Sequence, residues 1–217
     1  DIPASAGIGD LGGIISKLDY IRSVGANAIW MSPVFCSEFR DGGYDVTDFY
    51  AVAPRYGTNA QLVELVRKAH DKGMKVCLDL VAGHTSDKHP WFLQSMQAGT
   101  DLHYSDYYIW TDSRETLPPG SYYVKSDAPR DGNYLKNFFD CQPALNYGFA
   151  RPNPDNPWEQ PVDAPGPQAV RRELKNIIAF WMDKGVDGFR VDMAHSLIKN
   201  DPGHIETRRL WHEMREW

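Results

Sequence analysis

No run of apolar residues in the 217-residue chain approaches the roughly 20 needed to cross a bilayer, so no membrane-spanning helix is expected. Positive charge is not in excess. Lys and Arg number 23 against 29 Asp and Glu, a formal charge of −6, which argues against a nucleic-acid backbone as partner. Cysteine is scarce: Cys36, Cys77 and Cys141 are widely spaced and odd in number, which fits neither a zinc site nor a disulfide framework. They read as thiols packed like small hydrophobes in a reducing compartment, so a cytoplasmic location is expected. A signal-peptide pattern is absent. The chain opens at Asp1 in a loop-like stretch without an initiating Met, and the expectation is that its true N-terminus lies upstream. Internal repeats and low-complexity segments are also lacking. What remains, 42% hydrophobic and 24% charged residues, is ordinary for a soluble globular protein of one large domain, or of one domain with a subdomain.

Hydrophobic periodicity supplies the outline. Asp10 is placed to cap a helix carrying Leu11, Ile14, Ile15, Leu18 and Ile21, which Gly25 ends. Ala28-Ile29-Trp30-Met31, closed by Ser32-Pro33, reads as a fully buried strand. Thr58-Asn59-Ala60-Gln61 is a capping-box pattern for a helix lined by Leu62, Leu65, Val66 and Ala69, with Gly73 as its stop. Val76 to Val81 is a second buried strand. A third helix starts near Pro167 and stops at Gly185, Gly188 to Asp192 is a third strand, and from about Glu206 the pattern is helical again. This alternation predicts a parallel α/β sheet with right-handed crossovers, and by itself fits a doubly wound sheet as well as a barrel. Between His84 and Pro167 the alternation is broken by a stretch rich in proline and aromatics. It is too long for an ordinary loop and too aromatic for a disordered linker, and is expected to be an inserted subdomain. The expected division is 1–84 as the first part of the barrel or sheet, 85–166 as the subdomain and 167–217 as its continuation.

Charged residues stand out on the apolar strands. Arg190 and Asp192, two apart, point to one face near the C-terminal end of their strand. Asp79 holds a similar place on the preceding strand and His84 follows it. Charges there are costly unless paired or functional, and in parallel α/β proteins that end of the sheet is where sites are built. Spacing alone leaves a purely structural Arg–Asp pair as an equal alternative.

The motifs are more specific. Gly188-Phe189-Arg190-Val191-Asp192 resembles the nucleophile motif of the α-amylase superfamily, glycoside hydrolase family 13. Asp79-Leu80-Val81-Ala82-Gly83-His84, continued by Thr85 to Phe92, resembles that family's first signature. Gly43-Tyr44-Asp45-Val46-Thr47-Asp48-Phe49-Tyr50 is similar to the segment after its second strand, Gln142-Pro143-Ala144-Leu145-Asn146 to its subdomain marker, and Gly7-Ile8-Gly9-Asp10-Leu11 to the opening of its first helix. Five motifs occur in family order across the whole chain.

The resemblance implies a partial (β/α)8 barrel with the inserted subdomain following the family's third strand. It implies a retaining mechanism in which Asp192 is the nucleophile and forms a covalent glycosyl intermediate, while Arg190 keeps that carboxylate ionised and oriented. Tyr44 would stack on the sugar ring, His84 would hydrogen-bond a sugar hydroxyl, Asp45 would help hold the constellation, Asp79 would count among the substrate-binding residues, and His195 would line an acceptor subsite. The form of the subdomain marker resembles the branch of oligo-1,6-glucosidases and α-glucosidases, so the expected ligand is an α-linked gluco-oligosaccharide. Two departures bear on metal. Gly83 stands where the family usually has Asn, and Ala144 where it usually has Asp. Ala4 and Ala6 stand near the places of a second calcium loop, so no metal and no cofactor are expected. The family's general acid belongs to a later strand. Glu206, Glu213 and Glu216 lie in a helical pattern and are not substitutes, so the isolated chain is expected to be inactive and, as a truncated barrel, to self-associate. A glucosyltransferase of the same family shares the half-reaction and is an alternative. A non-catalytic member used for binding or assembly is another, though Tyr44, His84, Arg190 and Asp192 together speak against it.

Overall fold

The computed structural model describes residues 9–99, 103–119 and 122–217. Asp1 to Ile8, and with them Ala4, Ala6, Gly7 and the expectations attached to them, lie outside the described residues. The chain divides into two compact units, one comprising Asp1–Leu80 with Ile177–Val191, the other Val81–Asn176 with Asp192–Trp217.

The first unit is built on a three-stranded parallel sheet in the order β1 (Ala28–Met31), β4 (Lys75–Leu80), β7 (Gly188–Val191). Helix α3 (Asn59–Asp71) begins with the capping box foreseen in the sequence. Thr58 Oγ1 accepts from the N–H of Gln61 at 3.2 Å, and the Gln61 side chain accepts from the N–H of Thr58 at 3.1 Å. Leu62, Leu65, Val66 and Ala69 form its buried face, each leucine worth roughly 1.5–3 kcal/mol of apolar burial. The C-terminal part of helix α5 (Pro165–Met182) brings Trp181 to the same core, where it stacks on Phe35 at 5.3 Å and donates its indole N–H to Phe49 O at 2.8 Å. After α5 the chain turns at Gly185, whose φ of 93° suits a residue without a Cβ.

Three expectations need correction. The first helix is two, α1 (Leu11–Ser16) and α2 (Leu18–Ser23), because Lys17 leaves helical geometry at φ −111°, ψ 8°. The strand β1 is not fully buried: Trp30 is 53% exposed and only Met31 is buried. Its apolar run reads like an interior strand, but among the described residues β1 hydrogen-bonds to β4 alone within this sheet. The third strand ends at Val191, so Asp192 is the first residue beyond it. The sequence reading also missed an antiparallel hairpin, β2 (Phe35–Ser37) with β3 (Val46–Val52), which is irregular in register.

The second unit contains α4 (Pro90–Ser95), the two-stranded ribbon β5 (Tyr123–Val124) and β6 (Tyr134–Leu135), and α6 (Ile205–Glu216). The aromatics of the proline-rich stretch form its interior. Phe92 stacks on Trp110 with centroids 5.5 Å apart, and Tyr108 and Tyr134 meet Phe92 edge-on. The N-terminus of α6 is capped by Asp201, whose carboxylate accepts from the N–H groups of Ile205, Glu206 and Thr207.

Candidate active site

In the first unit, parallel pairing of β4 with β7 sets Asp79 opposite Arg190, both at the C-terminal ends of their strands. Arg190 Nη1 donates to both oxygens of Asp79, at 3.2 and 3.0 Å. The Tyr44 hydroxyl donates to Asp79 Oδ2 at 3.2 Å and accepts from Arg190 Nη1 at 3.4 Å. The carboxylate of Asp79 is wholly buried, whereas the Arg190 side chain is 44% exposed and its guanidinium lies 5.5 Å from the Trp30 ring centroid. A buried carboxylate is thus compensated by a cation and a phenol.

Tyr44 is delivered by a tight loop. Gly42 and Gly43 have φ of 58° and 107°, and a Cβ on Gly43 would stand 3.0 Å from Pro33 O. The buried Asp45 carboxylate ties this loop down. It accepts from Ser37 Oγ at 2.9 Å, from the N–H of Asp41 at 3.1 Å and from that of Arg40 at 3.2 Å. Ser37 and Arg40 carry no motif and were not foreseen in the sequence. The other end of the sheet is stapled differently. Asp187, just before β7, accepts from His70 Nε2 at 2.6 Å and from the N–H of Val76 at 2.9 Å, and pairs with Lys75.

His84, Asp192 and His195 belong to the second unit. His84 is buried, and its segment is laced to the Gln142–Asn146 marker: Leu145 N–H donates to Gly83 O at 3.0 Å, and His84 and Ala144 form an isolated antiparallel bridge. Asp192 opens a turn in which Met193 takes a left-handed φ of 46° and Ser196 N–H donates to Met193 O. A left-handed non-glycine residue next to a candidate nucleophile is the kind of strain found at functional turns. His195 is exposed and lines a cleft of about 540 Å³ together with Phe138, Lys199 and His204. Lys199 is a perturbed group there. Burial pushes its pKa down to about 8. Among the described residues, no three His, Cys, Asp or Glu side chains gather as a metal site, and no helix is long and apolar enough to cross a membrane.

Residues 3–215 match the model of the α-amylase catalytic domain. The chain belongs to the α-amylase family. Curated relatives include an oligo-1,6-glucosidase of Bacillus sp. (strain F5), 40% identical over 193 residues covering 89% of this chain and 36% of that protein. Another is the trehalose synthase/amylase TreS of Mycolicibacterium smegmatis, 38% identical over 209 residues covering 93% and 32%. Among solved structures, the trehalose-6-phosphate hydrolase of Bacillus licheniformis superposes with a TM-score of 0.79 at 32% identity, covering 98% of this chain and 39% of that one. The α-glucosyl transfer enzyme XgtA gives 0.74 at 37% identity, covering 89% and 34%. The chain therefore spans about a third of the length of the relatives it matches. Within this α-amylase family chain the strand ends carrying Asp79 and Arg190 and the loop carrying Tyr44 are joined by hydrogen bonds. Those relatives divide between hydrolysis and transfer by name.

Proposed function

We propose that these residues form part of the catalytic domain of a retaining enzyme acting on α-glucosidic bonds in short oligosaccharides. The observation that carries the reading is the hydrogen-bonded set Tyr44–Asp79–Arg190, with Asp79 and Arg190 on adjacent strand ends in register and Tyr44 on a loop. In a parallel α/β fold those ends carry the chemistry. We read the sheet as three of eight barrel strands and residues 85–166 as an inserted subdomain. Support comes from the superposition over 98% of the chain on a relative 32% identical to it.

In this reading Asp192, directly after β7, attacks the anomeric carbon. The bond to the leaving oxygen breaks as a covalent glycosyl–aspartate forms, and water or another sugar later displaces it. Arg190 gives Asp79 its counter-charge and Tyr44 a fixed hydroxyl orientation, so the phenol ring is held rigid for stacking on sugar. Asp45 acts through the loop, holding Tyr44 in place. His84 donates a hydrogen bond to a sugar hydroxyl, and His195 borders the acceptor. Retention needs a second carboxyl group about 5–5.5 Å from the nucleophile to protonate the leaving oxygen. Glu213 of α6 is held by Arg171 and Lys175 of α5, and we assign the acid to a part of the protein outside these 217 residues. Transfer to sugar rather than water is the second reading, favoured by relatives named for glucosyl transfer and trehalose synthesis. The test is product analysis. The complete protein, incubated with maltose and with isomaltose, should release glucose or rearranged disaccharide with retained anomeric configuration. No turnover of any α-glucoside, or inversion at the anomeric carbon, would overturn the proposal.

A further inference from the structure

Gly83 stands directly before His84, and the space a side chain would take there is already filled. A Cβ on Gly83 would lie 2.6 Å from Asn137 Nδ2, far inside normal contact. Asn137 is only 8% exposed, and its side chain is tied at both ends. Nδ2 lies 3.0 Å from His84 Nδ1 and 3.7 Å from Met193 Sδ, and Oδ1 lies 3.4 Å from Lys199 Nζ. The Lys199 ammonium is itself held by the carbonyl of Ser196.

The two ends of an Asn amide and the tautomer of a His are normally settled by the network around them. Here Lys199 decides both. An ammonium has donors and no acceptor, so the amide atom facing it is oxygen. The atom facing the imidazole is then the NH2 group, and His84 Nδ1 has to accept. A neutral imidazole has one proton, which is left on Nε2. With its pKa near 8, Lys199 keeps its charge at neutral pH and so keeps the amide oriented.

We propose that Asn137 is a positioning residue that fixes His84 as an Nε2–H donor, with Lys199 orienting the amide and Gly83 leaving it room. The proposal rests on the reading of His84 as a ligand of a sugar hydroxyl. A ring of fixed tautomer always presents its donor, whereas a ring that exchanges tautomers offers a lone pair part of the time. The arrangement also accounts for the glycine where the family usually has Asn: the amide comes from residue 137 and occupies the volume that a side chain at 83 would need.

The experiment is a long-range proton–nitrogen NMR spectrum of the complete protein labelled with 15N-histidine, with His84 assigned by its loss in His84→Gln. At pH 7, Nδ1 should be the unprotonated nitrogen and Nε2 the protonated one. In Asn137→Asp the carboxylate can only accept, so Nδ1 should become protonated. For an aryl α-glucoside that variant should lose about tenfold or more in kcat/KM, the scale of displacing a partner that orients a binding group. Asn137→Ser, which can still donate, should recover part of the loss. Wild-type His84 with its proton on Nδ1, or a nitrogen pattern unchanged in Asn137→Asp, would overturn the proposal. If Asn137→Asp does not fold, the wild-type spectrum alone decides. Failure of the underlying functional reading looks different: the expected nitrogen pattern, with kcat/KM untouched in both Asn137→Asp and His84→Gln.

Discussion

Replacing Asp187 with Asn separates what holds the sheet together from what serves the chemistry. Burial by itself would raise the Asp187 pKa. The hydrogen bonds from His70, the Val76 N–H and Lys75 outweigh it and hold the carboxyl down to about 2, against an ordinary 3.8. A difference of that size corresponds to about 2.5 kcal/mol of stability. Lys75 is 68% exposed and His70 38% exposed, so solvent screens part of it, and about 2 kcal/mol is expected. Because the folded-state pKa is depressed, the contribution is present above pH 4 and disappears as pH falls from about 4 towards 2. Unfolding free energies of wild type and Asp187→Asn from urea titrations, measured on the complete protein from pH 3 to pH 7, should differ by that amount at pH 7 and converge on acidification. Because Asp187 precedes β7 at the end remote from Arg190, kcat/KM for an aryl α-glucoside should stay within about twofold. Curves that coincide at pH 7, or a gap as wide at pH 3 as at pH 7, would refute the reasoning. A large loss of kcat/KM in a stably folded variant would show that the two strand ends are not independent.

Asp192→Asn in the complete protein should reduce turnover of maltose and isomaltose by more than about 10³-fold while substrate binding persists, since the amide keeps the shape but cannot attack; calorimetric titration and initial rates check both halves. The 217-residue chain alone should turn over neither sugar, general acid assistance being worth roughly 10²–10⁴-fold, and should sediment as more than a monomer because among the described residues β1 is paired on one side only. Thermal melts in calcium and in chelator should coincide, since Gly83 and Ala144 bring no side-chain oxygen; a midpoint that climbs with calcium would show that other ligands have taken over.

The parts of the fold legible in the sequence are those fixed by neighbours in the chain. The α3 cap is written in Thr58 and Gln61, two residues three apart that close their own hydrogen bonds, and the strand from Gly188 announces itself by its glycine, its apolar run and its charged exit. The burial of β1 was misjudged because an apolar tetrapeptide does not record how many strands flank it. The β2–β3 hairpin escaped notice because Phe35–Ser37 is too short to alternate visibly and its partner lies beyond the loop of Gly42 and Gly43. At the site, Tyr44, Asp79 and Arg190 were found through motifs. Asn137 and Lys199 were not, because an Asn between markers and a Lys in a turn look like solvent-facing residues. Only the folded chain brings the amide between an imidazole and an ammonium.

The tight fit of Gly83 against Asn137 also constrains how this sequence can change. Any side chain introduced at 83 while Asn137 remains meets its amide nitrogen, whereas shortening residue 137 first opens the space. The same two substitutions are therefore tolerable in one order and damaging in the other. A library that randomises position 83 alone should return glycine almost exclusively, whereas one that randomises 83 and 137 together should return larger residues at 83 only beside small ones at 137.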